Sequence, residues 1–242
     1  VTLTYMMTEP INMPFSSSVM NSVLTLLSTL NDAVPVDDDV SEAHLDTLGL
    51  KDPAYTLLFG NNTAERTILF GKVEGSNIYC MKKGGSAVYT IASSAVACLG
   101  LDLSDMCDVI TYTRDVNTVN GIVVAGQNKK YDIKLVGKDD ERVVYVNNKN
   151  VDRSNFSEFY SAILGVEIKQ VGDKPAGDPW LTITMTLEEG GTETLAYYEV
   201  DERYCYYELD GTGMFYVSRE AVETLLKNAQ KLYDNQEISS AW

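Results

Sequence analysis

Short runs of apolar, β-branched and aromatic residues occur in two sets of four along the chain, and turn-forming or polar residues separate them. Runs of this length and composition are typical of β-strands, and Asn, Asp and Gly between them favour tight turns. Each set therefore predicts an antiparallel four-stranded meander. The first set covers residues 55–59, 67–72, 77–82 and 87–91, and the second covers residues 181–187, 193–199, 203–208 and 214–217.

Apolar residues at helical spacing precede and follow each meander. After the second meander, Ser218 is a favourable N-cap, and an apolar stripe over residues 221–233 predicts an amphipathic helix. A shorter helix is expected after the first meander, starting at Ser93 or Ser94. Upstream helices are predicted over 19–30 and 154–164, and further strands over 1–7, 11–13, 109–113, 121–125, 131–136 and 143–146.

The two meanders also align with each other. Residues 52–99 match residues 178–225 without a gap, with some identities and with turn-forming residues at equivalent places. Such self-similarity is the mark of a repeat architecture. We therefore predict an α+β fold of two tandem repeats, each an antiparallel four-stranded meander with helices packed on one face. The predicted domains are residues 1–105 and 106–242, and the few strand-like runs upstream in the first copy indicate a truncated beginning.

The chain of 242 residues carries 35 acidic and 19 basic residues, which gives a formal net charge of −16. Nucleic acid is a poor partner because phosphate binding needs clustered Lys and Arg, and an anionic membrane surface is disfavoured for the same reason. No apolar run is long enough to span a bilayer, and no signal peptide is present. The chain begins with Val1 rather than Met, which is consistent with removal of a leader or anchor.

Residues that usually carry catalysis are sparse. His44 is the single histidine, so a Ser-His-Asp or Cys-His system would have to use it, and its polar surroundings favour a surface loop. The acidic runs 37–39 and 139–141 lack the spacing of an EF-hand and are expected to be solvated loops. No nucleotide-binding or nucleophile-elbow motif occurs. We therefore predict no enzymatic activity, no metal site and no cofactor.

The four cysteines, Cys80, Cys98, Cys107 and Cys205, show no C-x-x-C spacing. Neither a zinc site nor a redox motif is therefore indicated. Free buried thiols are the preferred interpretation, because Cys is among the most buried residue types. The sequence does not choose among the three disulfide pairings that four cysteines allow.

Tyrosine is the unusual feature of the chain, with 15 residues, many of them in the second meander. Adjacent strand residues point to opposite faces, so Tyr204 and Tyr206 share one face while Tyr207 lies on the other with Cys205. If the first face meets solvent, Tyr198, Tyr204 and Tyr206 would form a ligand-binding surface for carbohydrate or protein. The alternative is that both faces are covered, since strands favour tyrosine in any case.

An extended pattern resembles a known family. It consists of Leu48-Gly49-Leu50-Lys51-Asp52-Pro53-Ala54-Tyr55-Thr56-Leu57, Ile68-Leu69-Phe70-Gly71, Asn77-Ile78-Tyr79-Cys80, Val88-Tyr89-Thr90-Ile91 and, after a short helix, Leu101-Asp102-Leu103-Ser104-Asp105. From about Val19 onward the chain resembles the bacterial family known as domain of unknown function 4340. The resemblance implies an envelope protein, usually with an N-terminal membrane anchor, that accompanies ABC transporter components of the gliding-motility type. It supplies no catalytic residues, and this sequence lacks the anchor.

These features favour an extracytoplasmic binding or scaffolding protein of the bacterial cell envelope. It would be membrane-anchored in its full-length form and an accessory of an ABC-type transport system, with an envelope or membrane protein as partner. The alternative is an envelope glycan hydrolase that uses a carboxylate pair, since glycosidases place two acids around the scissile bond. A third hypothesis is an inhibitor or chaperone that works by strand addition, because open meanders leave unpaired edges.

Overall fold

The computed structural model describes residues 5–239 and shows two compact units. Unit 1 contains Tyr5 and Phe15–Asp102, whereas unit 2 contains Met6–Pro14 and residues 103–239. Both units combine helices with antiparallel strands, which confirms the predicted α+β class. Residues 1–4 of the predicted strand 1–7 lie outside the described residues. The predicted domains 1–105 and 106–242 stay predictions of independent folding units.

Unit 1 is built on a five-stranded sheet. The chain first forms β1 (Met6–Met7) and β2 (Met13–Pro14), which pair with each other and belong to unit 2. The elements of unit 1 are α1 (Ser17–Thr29), a 3-10 helix (Leu30–Asp32), β3 (Val34–Asp37), α2 (Glu42–Thr47), β4 (Tyr55–Asn61), β5 (Ala64–Glu74), β6 (Asn77–Lys82), β7 (Val88–Ala92) and a 3-10 helix (Ser93–Gly100). The sheet order is β3-β7-β6-β5-β4, so the predicted meander is confirmed and β3 adds a fifth strand.

Helices cover both faces of the unit 1 sheet. Side chains of β6 alternate between the faces: Ile78 packs in a cluster with Leu26 of α1, whereas Met81 packs in a cluster with Leu45 of α2. The prediction of helices on one face is therefore wrong for unit 1. The physical reason is that the segment between β3 and β4 crosses the second face and forms a short helix there, capped by the side chain of Ser41.

Two glycines allow this segment to lie directly on the sheet. A Cβ at Gly71 would lie 2.3 Å from the carbonyl oxygen of Leu48, and a Cβ at Gly49 would lie 2.8 Å from Cγ of Lys72. The backbone N–H of Lys72 donates a hydrogen bond to the same Leu48 carbonyl at 2.8 Å. A main-chain hydrogen bond therefore holds the segment between β3 and β4 on the second face of the sheet. The close approach of the two backbones explains why Gly occupies positions 49 and 71.

Unit 2 is built on a nine-stranded antiparallel sheet. Its elements are α3 (Leu103–Met106), a 3-10 helix (Val116–Thr118), β8 (Val119–Gly126), β9 (Lys129–Val136), a 3-10 helix (Asp139–Glu141), β10 (Val143–Val146), β11 (Lys149–Val151), α4 (Arg153–Leu164), β12 (Ile168–Val171), β13 (Leu181–Leu187), β14 (Thr192–Glu199), β15 (Tyr204–Leu209), β16 (Thr212–Ser218) and α5 (Arg219–Asp234). The sheet order is β11-β10-β9-β8-β13-β14-β15-β16-β12, which confirms the second meander as β13 to β16.

The larger core of the molecule lies between this sheet and the helices α4 and α5. Phe156 and Phe159 of α4 and Leu225 of α5 are almost entirely buried in one cluster with the inward-facing side chains of the sheet. The predicted N-cap is confirmed, because the Ser218 side chain accepts a hydrogen bond from the backbone N–H of Ala221. The two long helices of unit 2 thus pack on one face of its sheet, as predicted.

The strand order of unit 1 recurs inside unit 2. The order β3-β7-β6-β5-β4 corresponds to β12-β16-β15-β14-β13, and in each unit the first of these strands follows a helix, α1 or α4. Strands β8 to β11 extend the unit 2 sheet beyond β13. The shared order supports the predicted tandem repeat, which stays a prediction.

The gap-free alignment of the two meanders is wrong in the middle strands. Ile78 pairs with Ile91 in unit 1, and the corresponding pair in unit 2 is Cys205 with Val217. The gap-free alignment equates Ile78 with Tyr204 instead, which lies on the opposite face. A slip of one residue exchanges the faces of a strand. Differences in loop length accommodate this one-residue shift. The β13–β14 loop is longer than the β4–β5 loop, and the β15–β16 loop is shorter than the β6–β7 loop.

Other local predictions have mixed outcomes. Residues 109–113 do not form the predicted strand, and only Ile110 makes an isolated bridge, with Glu167. The helix expected after the first meander is the 3-10 helix Ser93–Gly100. The upstream helices and the strands β8, β9 and β10 are confirmed, with small differences in their bounds. Of the strand predicted over 11–13, only Met13 lies in a strand, β2.

Candidate functional site

Tyrosines of β14, β15 and β16 divide between the two faces of the unit 2 sheet. Tyr197 and Tyr207 lie in the main core with Cys205, as the alternation predicts. The opposite face carries a second cluster that we call the tyrosine surface. Its members are Tyr198, Tyr204, Tyr206 and Tyr216, with Ala196 and Val200 packed around them.

The rings of the tyrosine surface contact one another across the strands. Tyr206 is central, because it pairs with Tyr198 on one side and with Tyr216 on the other. Its ring centroid lies 6.1 Å from that of Tyr198 and 6.4 Å from that of Tyr216, both in edge-to-face geometry. Tyr204 stacks on Tyr216 at 5.9 Å. These are the distances and orientations that aromatic pairs prefer, so the surface is a packed unit.

The loop between β12 and β13, residues 172–180, lies over this surface, and we call it the covering loop. A Cβ at Gly172 would lie 2.1 Å from the ring of Tyr216, so only glycine allows this approach. The Tyr216 hydroxyl donates a hydrogen bond to the carbonyl oxygen of Asp173 at 3.2 Å. Unit 2 therefore covers its second face with a loop, where unit 1 uses the segment that contains α2.

Lys174 connects the covering loop to a buried carboxylate. Its Nζ lies 2.8 Å from Oε1 and 2.9 Å from Oε2 of Glu208, whose side chain is only 5% exposed. The same Nζ lies 4.3 Å from the ring centroid of Tyr198, in a cation–π contact. The hydrogen bond to Glu208 raises the pKa of Lys174 above its usual range. A buried carboxylate is costly without a cation, so Lys174 compensates Glu208.

The structure brings the three predicted site residues together but covers two of them. Tyr198 is 8% exposed and Tyr206 is 5% exposed, whereas Tyr204 is half-buried. Their assignment as ligand-binding residues stays a prediction. Sequence reasoning missed Glu208, although strand alternation from Tyr204 and Tyr206 places it on the same face. It also missed Lys174, which no periodic pattern marks because it lies in a loop.

The remaining candidate chemistry is dispersed. His44 lies on α2 rather than in a loop, and its half-exposed ring is 3.5 Å from the carboxylate of Asp37. The four cysteines are buried and free. Within residues 5–239, no group of three or more His, Cys, Asp or Glu side chains could hold a metal ion. No helix in this range combines the length and apolar composition needed to cross a membrane.

Two carboxylates share one cavity of about 370 Å³ beside the start of α5. Glu167 and Glu220 line it, and Glu167 forms an ion pair with Lys169 at 2.9 Å. A glycosidase needs a general acid with a raised pKa. Asp152, Asp201 and Glu223, whose pKa values are lowered mainly by hydrogen bonds to the carboxylates, do not line this cavity. The hydrolase alternative stays a prediction.

The fold and this surface define an α+β protein whose two antiparallel sheets share one strand order. The family model described as Domain of unknown function (DUF4340) matches residues 6–182, more than half of the chain. The chain therefore belongs to that family. No curated protein and no solved structure matches it. The match includes unit 1 and the covering loop but ends in β13, so the strands that carry the tyrosine surface lie beyond it.

Proposed function

We propose that this chain is a non-catalytic binding module of the bacterial cell envelope, and that its tyrosine surface receives an alkylammonium group of a partner protein. The observation that carries the proposal is the buried carboxylate of Glu208, which Lys174 of the covering loop neutralises beside the ring of Tyr198. The chain thus already holds one alkylammonium group in this position. A lysine side chain of a partner has the same chemistry.

The contact that a partner would replace is the side chain of Lys174 and not the covering loop as a whole. Main-chain hydrogen bonds hold both ends of the covering loop, from Gly172 N–H to the Met214 carbonyl and from Trp180 N–H to the Tyr197 carbonyl, whereas Lys174 reaches the tyrosine surface through its side chain. The Lys174 side chain is itself 44% exposed, so a competing cation can reach the carboxylate. Because the carboxylate of Glu208 is buried, it needs a cation beside it, and losing that cation without a replacement is costly. A partner's lysine can therefore replace Lys174 only by placing its own ammonium group beside Glu208.

The cellular setting is part of the same proposal. Family membership supports an extracytoplasmic protein that is membrane-anchored in its full-length form and serves an ABC-type transport system as an accessory. The partner would then be an envelope or membrane protein. The net charge of −16 favours a basic segment on that partner.

The test is a titration of the whole chain, with isotope-labelled tyrosine rings, against N-acetyl-lysine methylamide. We expect Lys174→Ala to show saturable shifts of the Tyr198, Tyr206 and Tyr216 rings, at about tenfold lower probe concentration than the unmodified chain, because the intramolecular competitor is gone. Lys169→Ala is the matched control. Lys169 is 43% exposed and also pairs with a glutamate, but it lines the cavity beside the start of α5.

Adding Glu208→Gln to Lys174→Ala should abolish the shifts, since the carboxylate is then absent. Shifts that persist in this double variant, or that Lys169→Ala produces equally, would contradict the proposal. An acetylated chito-oligosaccharide serves as the second probe. Its hydrolysis by the unmodified chain would replace the proposal with the hydrolase alternative.

A further inference from the structure

Four strands form the edges of the two main sheets: β3 and β4 in unit 1, β11 and β12 in unit 2. Unpaired edges invite pairing with other chains, and proteins protect them with proline, charge, bulges or short length. Three of these edges are protected. β3 contains Pro35 and a bulge, β12 contains Lys169 and a bulge, and β11 has only 3 residues and begins with Lys149.

Strand β4 has none of these protections. It is 7 residues long, and its register with β5 runs without a shift from Tyr55 to Asn61. It contains no charged residue and no proline, and Leu58 is 60% exposed. The backbone N–H and C=O groups of Leu58 also point away from β5, toward the open edge of the sheet. Its partner Thr67 turns its carbonyl toward the β6 side, where it accepts a hydrogen bond from Lys83 N–H.

The corresponding strand of unit 2 shows what such an edge accepts. β13 holds the same place in the strand order as β4, and β8 pairs with it in antiparallel fashion from Leu181 to Leu187. β8 is uncharged, like β4, and its alternate residues Ile122 and Val124 are 1% and 0% exposed in the core. Within the described residues, no strand takes this position beside β4.

A cavity also lies at the end of the β4–β5 hairpin. A cavity of about 360 Å³ is lined by Leu27 of α1, by Phe59 and its strand neighbours, and by Arg66 of β5. Leu57 and Phe59 on this side of the strand are half-buried. In unit 2, the equivalent space beside β13 is filled by the inward side chains of β8. A strand added beside β4 would place its alternate side chains next to Leu57 and Phe59, on the same face of the sheet.

We infer that β4 is a strand-addition site, which binds an extended, uncharged segment of a partner polypeptide with apolar residues at alternate positions. The segment runs antiparallel to β4, with main-chain hydrogen bonds to Thr56, Leu58 and Gly60 and apolar side chains over Leu57 and Phe59. The site lies in unit 1 and is independent of the tyrosine surface and of the function proposed for it.

The test uses the whole chain and a synthetic peptide with the sequence of residues 119–126, flanked by serines for solubility. Amide hydrogen exchange across 55–61 should slow by about tenfold with saturating peptide, because the outward N–H groups become bonded. A scrambled peptide without the apolar alternation should have no effect. Leu58→Pro should abolish the slowing, since it removes an N–H that β5 does not use.

Leu58→Lys is the second variant, in case the proline change unfolds β4, and it should weaken peptide binding. Val36→Lys is its matched control, because Val36 is also an exposed apolar residue on an edge strand, 48% exposed. The inference is overturned if millimolar peptide leaves the exchange at 55–61 unchanged, or if Leu58→Pro and Leu58→Lys respond like the unmodified chain. A dimer of the free chain that Leu58→Lys dissociates and Val36→Lys does not would also overturn it, because a second copy would then occupy the edge.

Discussion

The two units cover the second face of their sheets in different ways. Gly71 follows the buried Phe70 in unit 1, just as Tyr198 follows the buried Tyr197 in unit 2. At Gly71 the covering backbone of Leu48 lies directly on the sheet and accepts a main-chain hydrogen bond from β5. At Tyr198 a ring intervenes and contacts the side chain of Lys174, while main-chain hydrogen bonds hold only the ends of the covering loop, at Gly172 and Trp180. One strand order thus supports a cover whose backbone lies on the sheet in unit 1 and a cover separated from the sheet by tyrosine rings in unit 2.

The largest expected effects test whether the two units fold separately. Phe70 and Tyr197 are both 0% exposed and hold equivalent positions, paired with Cys80 and Tyr207. Phe70→Ala and Tyr197→Ala should each lower the free energy of unfolding of their own unit by about 3–5 kcal/mol. Hydrogen exchange should show lost protection in β5 to β7 for the first variant and in β13 to β16 for the second. Equal losses in both units would show one cooperative block instead.

The next prediction compares the two covers. Gly71→Ala places a Cβ against the backbone of Leu48, whereas Gly172→Ala places it against the ring of Tyr216, which can rotate away. We expect a loss of about 2–3 kcal/mol for Gly71→Ala and about 1 kcal/mol for Gly172→Ala, measured by urea unfolding. Ala176→Ser, at an exposed position of the covering loop, is the control and should be neutral. A larger loss for Gly172→Ala would contradict the distinction between a backbone neighbour at Gly71 and a movable ring at Gly172.

A smaller pair of effects concerns the buried tyrosines of unit 2. The Tyr197 hydroxyl is buried without a hydrogen-bond partner, whereas the Tyr207 hydroxyl donates to the carbonyl oxygen of Thr111 at 3.0 Å. Tyr197→Phe should therefore stabilise unit 2 or leave it unchanged, because an unsatisfied polar group is removed. Tyr207→Phe should cost about 1 kcal/mol. Thermal unfolding of both variants checks the difference, and a destabilised Tyr197→Phe would show that this hydroxyl has a partner in solution.

The smallest effect distinguishes two turns. The β5–β6 turn uses Gly75 at a φ of 62°, whereas the β14–β15 turn uses the Asp201 carboxylate, which accepts backbone hydrogen bonds from Arg203 and Tyr204. These bonds lower the pKa of Asp201. Its contribution to stability is therefore present above the unfolded pKa of about 4 and is lost as the pH falls through the lower folded pKa. Asp201→Asn should flatten this part of the acid unfolding curve, and an unchanged curve would refute the assignment.

Most strands and helices could be predicted because their turns carry clear chemistry. The tip between β15 and β16, for example, is Asp210-Gly211, with positive φ at both residues. The register between the two meanders could not be predicted. The longer β13–β14 loop and the shorter β15–β16 loop offset each other. The first and last strands of the two meanders therefore align without a gap, whereas the two middle strands are shifted by one residue. β3 was missed because Pro35 interrupts a short run, as expected for an edge strand.

The candidate site was predicted in part for a similar reason. Alternation assigns Tyr204 and Tyr206 to one face and would assign Glu208 there as well. The covering loop makes the difference between an exposed and a covered surface, and its position depends on contacts distant in sequence, such as Lys174 with Glu208. The edge of β4 is likewise a property of the whole sheet, since being outermost is set by strand order and not by local sequence.

The buried cysteines give each unit its own reporter of opening. Burial raises the pKa of Cys80 and Cys107 to about 11 and that of Cys205 to about 12, and only the thiolate reacts with labelling reagents. In the closed protein at neutral pH, the small thiolate fraction therefore makes these thiols react slowly with labelling reagents. The labelling rate of Cys80 and Cys98 follows the open population of unit 1, and that of Cys107 and Cys205 follows unit 2. A single time course with mass detection would thus resolve two opening equilibria without any engineered probe.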